Sequence, residues 1–186
     1  MITSFPLELL TTSLLPLLDF LTLAQLAQTC TTMRAAVSDR LLTMKTLDMI
    51  AISRWIERIA NQGTAQYRKK TAFRFLTVNG TVSSLRKLKI GGNSTGKPMA
   101  DLNTLKKVIR KNKNLEELSL VNMTVSNSLL EVIKELPKLK HLQIYLATDK
   151  NKVDKLKFYA MMKEMKKKGC TIYFDPPWYL PWSLSQ

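Results

Sequence analysis

The residues that most invite a chemical reading are Gly91-Gly92-Asn93-Ser94-Thr95-Gly96-Lys97. Their Gly-x4-Gly-Lys spacing is the one with which a phosphate-binding loop folds backbone amides and a lysine around a nucleotide. The run also follows an apolar strand pattern and precedes a helical one. Pro98, however, stands where a Ser or Thr hydroxyl would ligate magnesium, and proline has no amide to donate to the cradle. A loop between structural units explains the glycines at less cost, and no cofactor is expected. His141 is the only histidine, and no motif places a nucleophile or a carboxylate dyad beside it. Cys30 and Cys170 are too few and too far apart for a zinc site or a disulfide framework, so they read as reduced thiols. The chain is expected to bind rather than to catalyse.

Charge is the next signal. Lys and Arg total 29 against 14 Asp and Glu, a net charge of +15, which favours acidic proteins, nucleic acid or an anionic membrane surface as partners. The distribution is uneven. Residues 1–33 hold only Glu8 and Asp19, whereas Lys150 to Lys168 carries eight lysines against Asp154 and Glu164. Lysines 152, 155, 163, 166 and 167 fall largely opposite Val153, Tyr159 and Met162, as on the outer face of an amphipathic helix. Leu9 to Leu26 is leucine-rich, but no basic stretch precedes it and Pro16 and Asp19 interrupt it, so neither a secretory signal nor a membrane span is expected.

These groups must be positioned by elements, and the C-terminal two-thirds supplies a repeating set. Leu85-x-x-Leu88-x-Ile90, Leu115-x-x-Leu118-x-Leu120 and Leu139-x-x-Leu142-x-Ile144 share one pattern, with starts 30 and then 24 residues apart. Thr171 to Phe174 extends the series. Phe73-x-x-Leu76-x-Val78 lies only 12 residues before the next start, so it reads as a capping strand or a hairpin through Asn79-Gly80. Helical patterns separate the strands: Leu102, Leu105, Val108 and Ile109 after Asp101; Leu129, Leu130, Ile133 and Leu136 after Ser126; and Val153, Leu156, Tyr159, Met162 and Met165 before Gly169. This alternation resembles a short, irregular leucine-rich-repeat solenoid, which implies parallel strands on one side and helices outside. The usual repeat asparagine is poorly kept, with Asn122 one position early.

Within such strands the aliphatic residues turn inward and their neighbours outward. That places Lys87, Lys89, Glu117, Ser119, His141, Gln143, Tyr145 and Tyr173 on one surface, a mixed polar and aromatic face suited to a protein substrate, an acidic one among the candidates. The tail Asp175-Pro176-Pro177-Trp178-Tyr179-Leu180-Pro181-Trp182 is expected to fold back as a cap on the last unit, with a recognition element as the alternative. Upstream, Leu41, Leu42, Leu47, Ile50, Trp55, Ile56 and Ile59 recur at three- and four-residue steps, so Asp39 to Asn61 is expected to form one helix stopped by Gly63, with Trp55 as a core anchor. Arg68-Lys69-Lys70 reads as a solvated loop.

The N-terminal segment shows two or three short helical runs broken at Pro16 and near Asp19, with Ser4 as N-cap and Pro6 in the first turn. It holds more leucines than one small cluster can bury, so some are expected to await a partner. Phe5-Pro6-Leu7-Glu8-Leu9-Leu10, then Leu14, Leu17 and Leu23, then Thr29-Cys30-Thr31-Thr32-Met33-Arg34, resembles the F-box pattern over about 35 residues. Phe5 replaces the family's leading Leu, Thr31 its basic residue and Met33 its aromatic. The resemblance implies docking on the adaptor subunit that joins F-box proteins to the cullin of an SCF ubiquitin ligase. By position it assigns that docking to Phe5, Pro6, Leu9, Leu10, Leu14, Leu17, Leu23 and Met33.

The expected fold class is therefore α/β overall: an all-α F-box over residues 1–38, a connecting helix and linker over 39–70, and the repeat region with its aromatic cap over 71–186. The expected function is that of a non-catalytic adaptor that presents a protein substrate to an SCF-type ligase in a eukaryotic cytoplasm or nucleus. The rival is a basic repeat protein that binds nucleic acid or an anionic membrane, with nucleic acid the less favoured partner.

Overall fold

The computed structural model describes residues 15, 18, 20–59, 64, 83–91, 102–123, 125–145 and 154–175. In chain order these form α1 (Phe20–Leu26), α2 (Thr31–Thr43), β1 (Thr46–Asp48), α3 (Met49–Ile59), β2 (Lys87–Gly91), α4 (Leu102–Lys111), β3 (Glu117–Val121), α5 (Asn127–Lys134), β4 (His141–Tyr145), α6 (Lys155–Lys167) and β5 (Thr171–Asp175). The strands make one five-stranded sheet in sequence order, and every neighbouring pair is parallel. A parallel neighbour requires a crossover, and α4, α5 and α6 supply it between successive strands from β2 to β5.

The leucine spacing explains the sheet. Leu88, Leu118, Leu142 and Ile172 are aligned across β2 to β5, as are Ile90, Leu120, Ile144 and Phe174, and all point to the helix side. Against them pack Leu105, Val108 and Ile109 of α4 and Leu129, Leu130, Val132 and Ile133 of α5, the stripes expected from the sequence apart from Val132. In α6 the buried residues are Phe158, Met161 and Met165, while Leu156 is 82% exposed and Tyr159 and Met162 are half-buried. Thus Met165 of the expected stripe is buried and Met162 packs on the core margin, while Phe158 and Met161 replace Leu156 and Tyr159 as the other core positions, with Phe158 meeting Phe174 at 4.8 Å between ring centroids.

Local chemistry ends and starts the helices. Ser126 caps α5 by accepting the Leu129 amide, and Asp154 caps α6 by accepting those of Leu156 and Lys157. Gly169, at φ 84, ends α6, and the Cys170 amide donates back to the Met165 carbonyl. Asn122 takes φ 50 after β3, a left-handed conformation that Asn tolerates better than most residues.

The connector differs from expectation. Instead of one helix over Asp39 to Asn61, α2 runs through residue 38 to Thr43, β1 follows, and α3 begins at Met49. Asp48 forces the break: its Oδ1 accepts the amides of Ile50 and Ala51 at 2.9 Å each, which makes it the cap of α3. Leu47 was placed on a helical stripe but is buried in a strand, aligned with Leu88. The boundary expected at residue 38 falls inside α2. One continuous buried cluster runs from Leu15, Leu23, Ala36, Val37 and Leu41 through the sheet to Cys170, so the first helices share the core of the sheet. Phe73-x-x-Leu76-x-Val78, the Arg68-Lys69-Lys70 run, the Trp55 side chain and the tail beyond Asp175 lie outside the described residues.

Candidate partner-binding face

The helices cover one side of the sheet, and alternation sends the other set of side chains outward. Thr46, Lys87, Glu117, His141 and Thr171 are aligned as one row across all five strands, and Asp48, Lys89, Ser119, Gln143 and Tyr173 as the next. Lys87, Lys89, His141, Gln143 and Tyr173 are exposed, and Glu117, Ser119 and Tyr145 are half-buried. All eight residues expected on one surface are on it.

Their partners were not legible in advance. Lys87 Nζ lies 2.7 Å from Glu117 Oε1, and Lys89 Nζ lies 3.6 Å from Asp48 Oδ2. Ser119 Oγ donates to Gln143 Oε1 at 2.9 Å. Tyr145 and Tyr173 make a tilted contact, 5.5 Å between centroids and 46° between planes. The face thus grades from paired charges on β1 to β3, through a neutral amide–hydroxyl pair, to two aromatic rings on β4 and β5. Because Asp48 and Glu117 neutralise Lys89 and Lys87, the described residues of this face carry no surplus positive charge with which to select an acidic substrate. The Glu117 carboxylate beside His141 is likewise engaged by Lys87.

Asp48 and Thr46 were missed as face residues, and the signal for them is recognisable. Met44-x-x-Leu47-x-Met49 repeats the pattern of the later strands with methionine at its ends, and Leu47 and Met49 are buried while Met44 packs on the same core. The Ser84 hydroxyl, with one proton to donate, lies within hydrogen-bond reach of the carbonyls of both Leu42 and Met44 and so ties this stretch to the next unit. Arg86 and Lys87 both donate their amides to the Lys45 carbonyl.

The glycine-rich loop has a different explanation at its first residue. A Cβ on Gly91 would lie 2.8 Å from Ile50 Cγ1 and Cδ1 and 2.9 Å from the Val121 carbonyl oxygen, so glycine there permits α3 to approach the sheet. Residues 92–97 lie outside the described residues. Cys30 and Cys170 are both free; Cys30 is exposed and its Sγ accepts the Met33 amide at the start of α2, whereas Cys170 is buried. Burial pushes the Cys170 thiol pKa up, with a hydrogen bond from the Leu142 backbone opposing it. Among the described residues no group of three His, Cys, Asp or Glu could hold a metal ion, and no helix is long and apolar enough to cross a membrane.

Of the residues assigned to ligase docking, Phe5, Pro6, Leu9, Leu10, Leu14 and Leu17 lie outside the described residues. Leu23 is 1% exposed in the shared core, so it packs within the chain and is withdrawn from the docking set. Leu15, one of the surplus leucines, is fully buried as well. Met33 is half-buried against that core and retains a solvent-facing part. No family model matches the chain, and no curated protein or solved structure matches it either.

Proposed function

We propose that this chain is a substrate-recruiting adaptor of an SCF-type ubiquitin ligase, working in a eukaryotic cytoplasm or nucleus. The F-box-like N-terminus engages the ligase's adaptor subunit, and through it the cullin. The parallel sheet with its outer helices is a short leucine-rich-repeat solenoid whose open face receives a protein substrate. The chain contributes binding and geometry, and other subunits carry the ubiquitin chemistry.

The observation that best supports this reading is the uncovered face itself: two aligned rows of exposed and half-buried side chains cross all five strands, and Tyr173 at the end of one meets Tyr145 beside it. A broad face with aromatic anchors at one end is what protein recognition uses, because a few such rings carry most of the binding energy. The test is co-purification of the full chain with the SCF adaptor subunit from a eukaryotic lysate. Deleting residues 1–38 is a poor control, since it removes Leu23, Ala36 and Val37 from the core and cuts α2. The better comparison is Leu9→Ala with Leu10→Ala in the full chain, which should abolish co-purification while the circular dichroism is unchanged. A wild-type chain that ignores the adaptor subunit refutes the proposal.

A second reading draws on α6, where Lys163, Lys166 and Lys167 are exposed. In it the repeat region binds nucleic acid or an anionic membrane, with affinity falling steeply as salt rises.

A further inference from the structure

The positive charge missing from the open face is concentrated along the adjoining edge of the sheet. Because α4, α5 and α6 each lead into the next strand, their C-terminal ends and the strand starts share that edge. Backbone hydrogen bonds from Glu116 to Arg86 and from Lys140 to Glu116 set these three residues side by side along it.

Among the described residues, three carboxylates stand on this edge, Glu135 exposed at the end of α5 and two that its cations hold. Glu116 lies between Lys140 Nζ at 2.9 Å and Arg86 Nη1 at 3.6 Å, and Glu164 lies between Lys134 Nζ at 2.8 Å and Lys168 Nζ at 3.3 Å. Each is outnumbered by its cations, and both have pKa values lowered, chiefly by the hydrogen bonds from Lys140 and from Lys134. Beyond them stand Arg110, Lys111, Lys113, Lys138, Lys166 and Lys167, all exposed. None of these six has an ion-pair partner among the described residues. Lysine at a helix C-terminus favours the helix dipole, which accounts for part of the pattern but not for Lys113 and Lys138 in the turns.

We infer that this edge is a docking rail for an extended acidic segment of a protein partner. Three units with helix axes about 8–10 Å apart give a rail about 20 Å long, enough for about six extended residues. Carboxylates are the anions its cations already hold, with Glu116 and Glu164 at 2.8–3.3 Å from Lys140, Lys134 and Lys168, so an acidic segment is the occupant whose chemistry the edge displays. Among the described residues the exposed large apolar side chains lie elsewhere, Leu156 at the other end of α6, Tyr173 on the open face and Leu42 at the β1 end, so the described rail has none to insert into a bilayer. That the acidic segment belongs to a ubiquitination substrate rests on the adaptor reading; that the rail binds one does not.

The test uses the full chain and a fluorescent peptide of about ten glutamates, with fluorescence anisotropy at low salt, where screening is weakest. The triple variant Lys111→Gln, Lys138→Gln, Lys167→Gln should weaken binding by about tenfold or more. The charge-matched triple Arg34→Gln, Arg54→Gln, Lys157→Gln, away from the rail, should stay within about twofold of wild type. Equal losses in the two triples, or no binding by the wild type, overturn the inference. So does tighter, rail-dependent binding of duplex DNA or of phosphatidylserine vesicles, which would make the edge a nucleic-acid or membrane surface. Oligoglutamate binding by a chain that ignores the SCF adaptor subunit keeps the rail and removes the ligase role; co-purification without oligoglutamate binding does the reverse.

Discussion

The side chain of Asn112, fully buried, accepts the Leu85 amide at 3.0 Å and donates to the Val108 carbonyl at 2.8 Å. It ties the end of α4 to the residue that leads into β2, 27 positions earlier in the chain. Replacing it with leucine leaves the buried Leu85 amide unpaired, while the Val108 carbonyl keeps the backbone amide of residue 112. Asn112→Leu should therefore lower unfolding stability by about 1–3 kcal/mol, measured by urea denaturation. A loss below about 0.5 kcal/mol would mean that the link is dispensable.

Gly91 and Ile50 make a second coupled pair. A methyl at Gly91 collides with the Ile50 side chain and with the Val121 carbonyl, so Gly91→Ala should cost about 1–3 kcal/mol. Ile50→Val removes one of the clashing carbons and should recover part of that cost in the double variant. Additive single effects in a double-mutant cycle would show that the two sites are uncoupled.

Leu23→Ala separates packing from docking. Its side chain is 1% exposed, so truncation should destabilise the chain by about 2–5 kcal/mol whatever partner is present. The readout is the thermal midpoint of the isolated protein. An unchanged midpoint would return Leu23 to the candidate docking residues.

Acid should weaken the fold through Glu116 and Glu164. Their folded pKa values lie below the ordinary 4.5, so their contribution is complete above that value and is lost as pH falls through the lowered ones. Lys134 has the opposite sign: its pKa is raised by the hydrogen bond it donates to Glu164, so its contribution holds below the ordinary 10.5 and is lost as pH rises through the raised value. In a stability profile against pH, Glu116→Gln with Glu164→Gln should flatten the acid limb. Parallel wild-type and variant profiles would show that these exposed pairs do not affect stability.

The strands from β2 to β5 were legible because a two-residue alternation of leucine and isoleucine is a local signal, readable within six residues. The same alternation placed Lys87, Lys89, Glu117, Ser119, His141, Gln143, Tyr145 and Tyr173 on one face. β1 was hidden because its pattern carries methionine at Met44 and Met49, and because Leu41, Leu47 and Ile50 also fit helical spacing. The core positions at the start of α6 were likewise undecided in one dimension, since Leu156 and Tyr159 fit a stripe with Met162 and Met165 as well as Phe158 and Met161 do.

The sequence by itself determined which residues of β2 to β5 could alternate between core and open face. Tertiary structure decided what each exposed charge faces. Lys87 and Glu117 are 30 residues apart, and Lys140 and Glu116 are 24 apart. Only parallel register, with strands about 4.8 Å apart, brings such residues within reach of one another. That register neutralises the lysines of the open face and leaves the surplus charge on its edge, a separation that net charge along the chain cannot express.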